Sequence, residues 1–216
     1  MPDIKFFFAP GACSVAPHVL LHEAGLPYEP IQYNYAATEI QFPADYTALN
    51  PKRRVPVLVV DGEVITELPA VSTMISQLAP EKQFFGKTPL ETVRVYEWLN
   101  YLSGTVHTGT YGQMIRPWRW TTDADPKAHE RVKDKARERL VENFAIIEDK
   151  LQGVYAVGDG LTAVDPFLYI LYRWAKTRSG IDLSPYPKYT ALVGALEKRE
   201  SVKTVLAKEG LEALNV

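Results

Sequence analysis

The apolar pattern of this chain changes once, and that change limits what it can fold into. Before residue 79, short strand-like runs alternate with helical ones; after residue 88, every periodic segment is helical. The strand-like runs are Ile4 to Phe8, the stretch from Tyr28 to Tyr35 in which Ile31, Tyr33 and Tyr35 alternate, then Val57 to Val60 and Glu63 to Thr66. Asp61-Gly62 joins the last two as a two-residue hairpin turn. Pro30 puts its strand at a sheet edge or delays its start. Helices are expected from about 14 to 24 and from 67 to 78, with a short one near 45–49 inside an otherwise loop-like 36–50. Gly25 and Pro27 end the first helix, and Leu21 and Leu26 have the spacing of the cap's hydrophobic contact.

After the stretch 79–88, which holds Pro80 and Gly86, Thr88-Pro89-Leu90-Glu91 forms a capping box with proline at the first helical position. That helix can run to Arg116, before Pro117, although Gly104, Gly109 and Gly112 weaken its second half. Asp125-Pro126 opens another, whose stripe is Val132, Ala136, Leu140, Phe144, Ile147 and Leu151. Thr162 and Asp165 are spaced as a second box: the hydroxyl accepts from the Asp165 N–H and the carboxylate reaches back. The helix beyond, Phe167 to Lys176, is apolar on most sides and is expected to be buried. Short helices at about 188–198 and 201–209 close the chain. Two domains are therefore expected, a mixed α/β one at 1–80 and an all-helical one at 89–216, with a linker at 81–88.

With 46% hydrophobic and 23% charged residues the chain can bury a core of that size. A formal net charge of −2 gives no footprint for nucleic acid or an acidic membrane surface. No apolar run is long enough to span a bilayer and no N-terminal stretch has a signal-peptide layout, so a cytoplasmic location is expected. One cysteine forms no internal disulfide, and His18 and His22 lack the H-E-x-x-H arrangement, so no metal is expected.

Chemistry concentrates where the first strand hands over to the first helix, at Pro10-Gly11-Ala12-Cys13-Ser14. Cys13 reads either as a small buried apolar residue or as a thiol whose pKa is lowered by unpaired helix amides. Gly11 and Ser14 leave the helix start open to a ligand, which favours the second reading. Ser14 reads locally as an N-cap. Val55-Pro56 lies between a polar turn and a strand, a place for a cis peptide bond that presents the Val55 backbone to a peptide-like ligand; Pro56 also reads as a strand-entry proline. Glu67, at a strand-to-helix junction, can accept an ammonium group or serve only the helix dipole.

In combination these stretches resemble the glutathione transferases, most closely the bacterial beta class. The resemblance rests on residues 10–14, on the Asn-Pro-x-x-x-Val-Pro-x-Leu run at 50–58 and on Thr66-Glu67. It extends to Thr162-x-x-Asp165, Arg173-Trp174-Ala175 and the Leu-Ser-Pro-Tyr-Pro run at 183–187. It implies a thioredoxin-like N-terminal domain, an all-α C-terminal domain and a homodimer. Glutathione would be a co-substrate and no cofactor would be permanently bound. It also implies that Cys13, with Ser14 as second candidate, is catalytic, and that Ala12, Cys13, Val55, Pro56, Glu67, Leu68 and Asn100 bind glutathione. His107, Tyr111, Met114 and Trp118, with Trp120, would wall the electrophile side. Each of these wall residues also reads as simple packing, His107 as a satisfied helix histidine and Asn100 as a solvated one. The chain departs from the family in having Leu68 where a serine is common and Thr108 where a lysine often follows the histidine. No lysine is assignable after the second strand. Three functions stay open: conjugation of glutathione to small hydrophobic electrophiles, thiol–disulfide reduction or peroxidase activity through Cys13, and ligand binding without catalysis.

Overall fold

The computed structural model describes residues 2–36 and 39–216. A four-stranded sheet has the order β2 (Glu29–Gln32), β1 (Ile4–Phe8), β5 (Val57–Val60), β6 (Glu63–Thr66), with β1 and β2 parallel and the other neighbours antiparallel. Three consecutive phenylalanines are buried because the central strand is covered on both faces. Phe6 and Phe8 point to the main core with α1 (Val15–Ala24) and α3 (Leu68–Leu78), while Phe7 turns the other way against Tyr46 and Val57. Pro30 sits in the edge strand β2, where no ladder bond is lost. Gly25 adopts φ +66° and its N–H and that of Leu26 donate to His22 and Leu21, closing α1 as its sequence requires.

The expected loop at 36–50 contains a small antiparallel pair, β3 (Tyr35–Ala36) and β4 (Glu39–Ile40), before α2 (Tyr46–Leu49). Two-residue strands are too short to show alternation; residues 37 and 38 of that loop lie outside the described ones. The stretch 79–88 is packed rather than open: Phe84 and Phe85 are buried and the Phe84 carbonyl accepts from the Ala163 N–H.

The helical half begins with α4 (Pro89–Asn100), and its capping box is present in both directions between Thr88 and Glu91. The glycines beyond do not break it. Instead the chain continues as a π-helix over Tyr101–Tyr111 and then α5 (Gly112–Ile115). A Cβ at Gly109 would sit 3.2 Å from the Gly104 carbonyl oxygen, so this underwound stretch uses Gly109 for close approach. Next come α6 (Pro126–Lys150), α7 (Val164–Trp174) with a π-helical extension over Ala175–Ser179, α8 (Pro187–Glu197) and α9 (Glu200–Lys208). Helix α1 packs on α7 and α9 as well as on α3, which ties the sheet half to the helical half. Among the described residues no helix is long and apolar enough to cross a membrane.

At α7 the second box is only half formed. The Asp165 carboxylate accepts from the N–H groups of Ala156 and Thr162, but the Thr162 hydroxyl donates to that carboxylate instead of accepting from the Asp165 N–H. A buried carboxylate needs donors more than the helix amide needs an acceptor, and the Asp165 N–H takes the Thr162 carbonyl. Burial outweighs these bonds and pushes the Asp165 carboxyl up to about 6. Asp165→Ala would leave two amide donors without their acceptor, and unfolding in urea should show a loss of about 2–3 kcal/mol. Any activity of the folded fraction should be unchanged; a fall in activity with an unaltered urea midpoint would assign Asp165 to the active site.

Candidate active site

The loop between β1 and α1 is held from beneath and from the C-terminal end of the chain. Gly11 has φ +67°, which a side chain would strain. Its N–H donates to Glu209 (2.9 Å) and its carbonyl accepts from the Trp174 indole N–H (2.9 Å). The other oxygen of Glu209 pairs with His18 Nδ1 at 2.7 Å, and both side chains are fully buried. The opposite ring nitrogen of His18 meets the Tyr28 hydroxyl, which also meets His22, so both histidines are used in structure. Ser14 makes no N-cap bond: its buried hydroxyl donates to the Ala9 carbonyl and accepts the Ala9 N–H, both at 3.3 Å. A hydroxyl spent on the loop's own backbone is not the open group expected of a catalytic or capping serine.

Cys13 sits above that loop, 8% exposed, with its thiol 3.5 Å from the Val55 carbonyl oxygen, which can accept the S–H. The N–H groups of Cys13 itself and of Ser14 favour the thiolate, as the strand-to-helix position leads one to expect. Burial nevertheless dominates and pushes the thiol up to about 12. The expectation of a lowered pKa is therefore overturned: the two amides recover less than the lost hydration of the anion. The Val55–Pro56 bond is cis, and the turn before it is pinned by Tyr46 and Asn50, which both donate to the Arg54 carbonyl (2.7 and 2.9 Å). At the start of α3, Glu67 takes φ +73° and its exposed carboxylate pairs with Lys52, which also reaches Thr66; Leu68 beside it is buried.

A cavity of about 700 Å³ opens above Cys13. On one side stand Ala12, Cys13 and Val55; on the other, His107, Tyr111, Met114, Trp120 and Trp174. The Tyr111 hydroxyl is taken by the Leu171 carbonyl (2.6 Å), so only its ring edge is offered, set edge-on to Trp174. His107 lies 5.2 Å from the Trp174 ring, and burial, aided by Arg116 and Arg54, holds it down at about 4, neutral at physiological pH. The arrangement can seat a thiol beside a neutral S–H and an electrophile against aromatic rings. Among the described residues no group of acidic, histidine and cysteine side chains is placed to hold a metal.

Comparison with known proteins follows this geometry. Residues 11–78 match the family model of the glutathione S-transferase N-terminal domain and residues 113–209 that of the C-terminal domain. A glutathione transferase homologue from Sulfitobacter, solved with bound glutathione, shares 30% identity and a TM-score of 0.88 over 98% of this chain and 100% of its own. This chain belongs to the glutathione S-transferase family. The beta-class glutathione S-transferase of Sphingomonas chungbukensis is 28% identical with a TM-score of 0.82, over 96% of this chain and all of its own. Glutathione S-transferase GstA of Escherichia coli O157:H7 is 28% identical over 214 residues, 97% of this chain and 100% of that protein.

In this glutathione transferase the site residues read from sequence divide into groups. Ala12, Cys13, Val55, His107, Tyr111 and Met114 line one cavity; Pro56 follows Val55 in the chain, and Glu67 and Leu68 at the start of α3 do not line it. Asn100 is exposed and does not line it. From Tyr101 the i→i−5 bonding underwinds the helix, so a seven-residue spacing no longer places Asn100 and His107 on one face. Trp118 is 42% exposed on a 3₁₀ turn, and Trp120, two residues on, takes the place against Gly112 instead. Sequence reasoning missed Lys52, Trp174, Glu209 and the arginines 54, 116, 119 and 178. Trp174 stood inside a quoted family stretch; for Glu209 and the arginines no local pattern exists.

Proposed function

We propose that this cavity binds glutathione and adds its sulfur to a small electrophile held by the helical half. The observation that carries this reading is the Cys13 thiol, buried at the cavity floor 3.5 Å from the carbonyl of the residue before Pro56. A thiol held protonated is a hydrogen-bond donor, not a nucleophile, so the attacking sulfur is glutathione's. Lowering that sulfur's pKa by about two units takes about 2.7 kcal/mol. The single S–H, turned from the Val55 carbonyl to the glutathione sulfur, and the nearby positive charge of Arg116, which acts on the Cys13 sulfur, contribute to it. The thiolate forms a C–S bond, the leaving group departs with its electron pair, and the thiol proton goes to solvent. Ala12 and Val55 supply backbone groups on the tripeptide side, with Glu67 for its ammonium end.

The deciding measurement is conjugation of 1-chloro-2,4-dinitrobenzene followed beside reduction of a glutathione mixed disulfide. Conjugation should exceed the uncatalysed rate and persist in Cys13→Ala within about tenfold, the worth of one charge-assisted hydrogen bond. Disulfide reduction alone, lost in Cys13→Ala, would replace this reading with the covalent one. Glu67→Ala should weaken glutathione binding by about 1.5–3 kcal/mol, the range for a hydrogen bond to a charged group; unchanged affinity by calorimetry, with the fold intact, would remove Glu67 from the site. A homodimer and a cytoplasmic detoxifying role belong to the same reading. Leu90 and Val93, 64% and 61% exposed on α4, provide apolar surface for a second copy.

A further inference from the structure

The cavity's outer wall is strongly basic. Arg116 and Arg119 follow α5, and Arg178 stands on the π-helical extension of α7. Among the described residues that line the cavity none is acidic. Glu39, from β4, pairs with both Arg116 (3.2 Å) and Arg119 (2.9 Å). Arg178 is exposed and has no hydrogen bond or ion pair among the described residues. It, Arg116 and Tyr35 all line the same cavity. Arg54, on the tripeptide side, feels Arg119 and Arg116 as like charges. In a chain of net charge −2 this crowding is local, and like charges held together cost stability unless an anion joins them.

We propose that the electrophile carries an anionic group, a carboxylate, and that Arg178 and Arg119 bind it while the rings of Trp120 and Trp174 cover its apolar body. The proposal rests on the transferase reading for its chemistry but not for its binding site. These arginines come from the same segments as Met114, Trp120 and Trp174, whereas Cys13 and Val55 form the tripeptide side. Guanidinium groups suit carboxylates because their fork offers paired donors. Conjugation would proceed as above: on a chloroarene the glutathione sulfur bonds the ring carbon and chloride leaves with its electron pair, the carboxylate untouched.

Two probe pairs test this. The first, 3,5-dinitrobenzoate and its methyl ester, is unreactive, and its binding is read by quenching of tryptophan fluorescence with and without saturating glutathione. The carboxylate should bind about tenfold more tightly than the ester, the scale of one charge-assisted hydrogen-bond pair. Glutathione should not displace it, and Arg178→Gln together with Arg119→Gln should bring the ratio near one. Equal binding of acid and ester, a ratio unmoved by the substitutions, or displacement by glutathione would each overturn the proposal; displacement would assign the arginines to the tripeptide's own carboxylates. The second pair, 4-chloro-3,5-dinitrobenzoate and its methyl ester, is reactive, with each kcat/KM divided by the uncatalysed rate. The same preference should appear there and fall in the double variant, through the KM for the electrophile rather than that for glutathione. If neither compound is conjugated while the acid still binds with the stated preference, the transferase reading fails and the anion site stands.

Discussion

Cys13 should resist alkylation. At pH 7.5 iodoacetamide is expected to label it roughly a thousandfold more slowly than an unperturbed cysteine, because the reactive species is the thiolate and a three-unit rise in pKa removes that factor from its population. The rise, from 9.0 to about 12, follows from burial, against which the N–H groups of Cys13 and Ser14 recover only part. Labelling should return to the ordinary rate in urea, which separates a protonated thiol from a missing one. The same shift has a stability consequence. The folded pKa lies above the unfolded one, so the stability it contributes is complete below about pH 9 and is lost as pH rises toward 12. Stability near neutral pH is therefore insensitive to the thiol. Rapid labelling of folded protein at neutral pH would mean that Cys13 is a thiolate, and the covalent reading of this site would return.

Glu209→Ala should be the most destabilising of the substitutions considered, by about 3–5 kcal/mol in urea unfolding, the range for deleting one partner of a fully buried pair. It leaves both His18 Nδ1 and the Gly11 N–H without their acceptor in a region that water does not reach. The consequence for activity is specific. Gly11 is held on its N–H side by Glu209 and on its carbonyl side by Trp174, and Cys13 lies two residues further on. Loss of one clamp frees the loop that carries the thiol, so kcat/KM should fall even at temperatures where the variant is fully folded. Glu209→Gln keeps one oxygen for Gly11 but turns an NH₂ group toward His18, and should lose less. A Glu209→Ala protein with wild-type stability would show that solvent reaches this pair in solution.

Much of the frame was legible in the residues. Gly25 after α1, the Asp61-Gly62 turn and the Thr88–Glu91 box act over four or five residues, and each is formed as its sequence requires. Local rules suffice there because partner and donor are neighbours in the chain. The mixed pattern followed by a helical one likewise gave the fold class, since periodicity reflects which face each segment must bury.

The site was legible only in part, and the limit is a matter of distance along the chain. Residues 10–14 identified the loop, but the protonation of Cys13 depends on how deeply the folded chain buries it. A helix-start position argues for a low pKa, and burial reverses the sign. Ser14 has the right identity for a cap, yet its hydroxyl satisfies Ala9 because the folded loop turns it inward. Asn100 and Trp118 do not line the cavity: a π-helical stretch and a 3₁₀ turn alter which residues share a face, and neither has a reliable local signature. Glu209 is 198 residues from Gly11, and Arg119 is 80 from Glu39. Chain-local chemistry set the elements and singled out the loop that carries Cys13. The thiol's charge state, the clamp on Gly11 and the basic wall arose from contacts between segments that no short window contains, where burial and long-range pairing outweigh local preference.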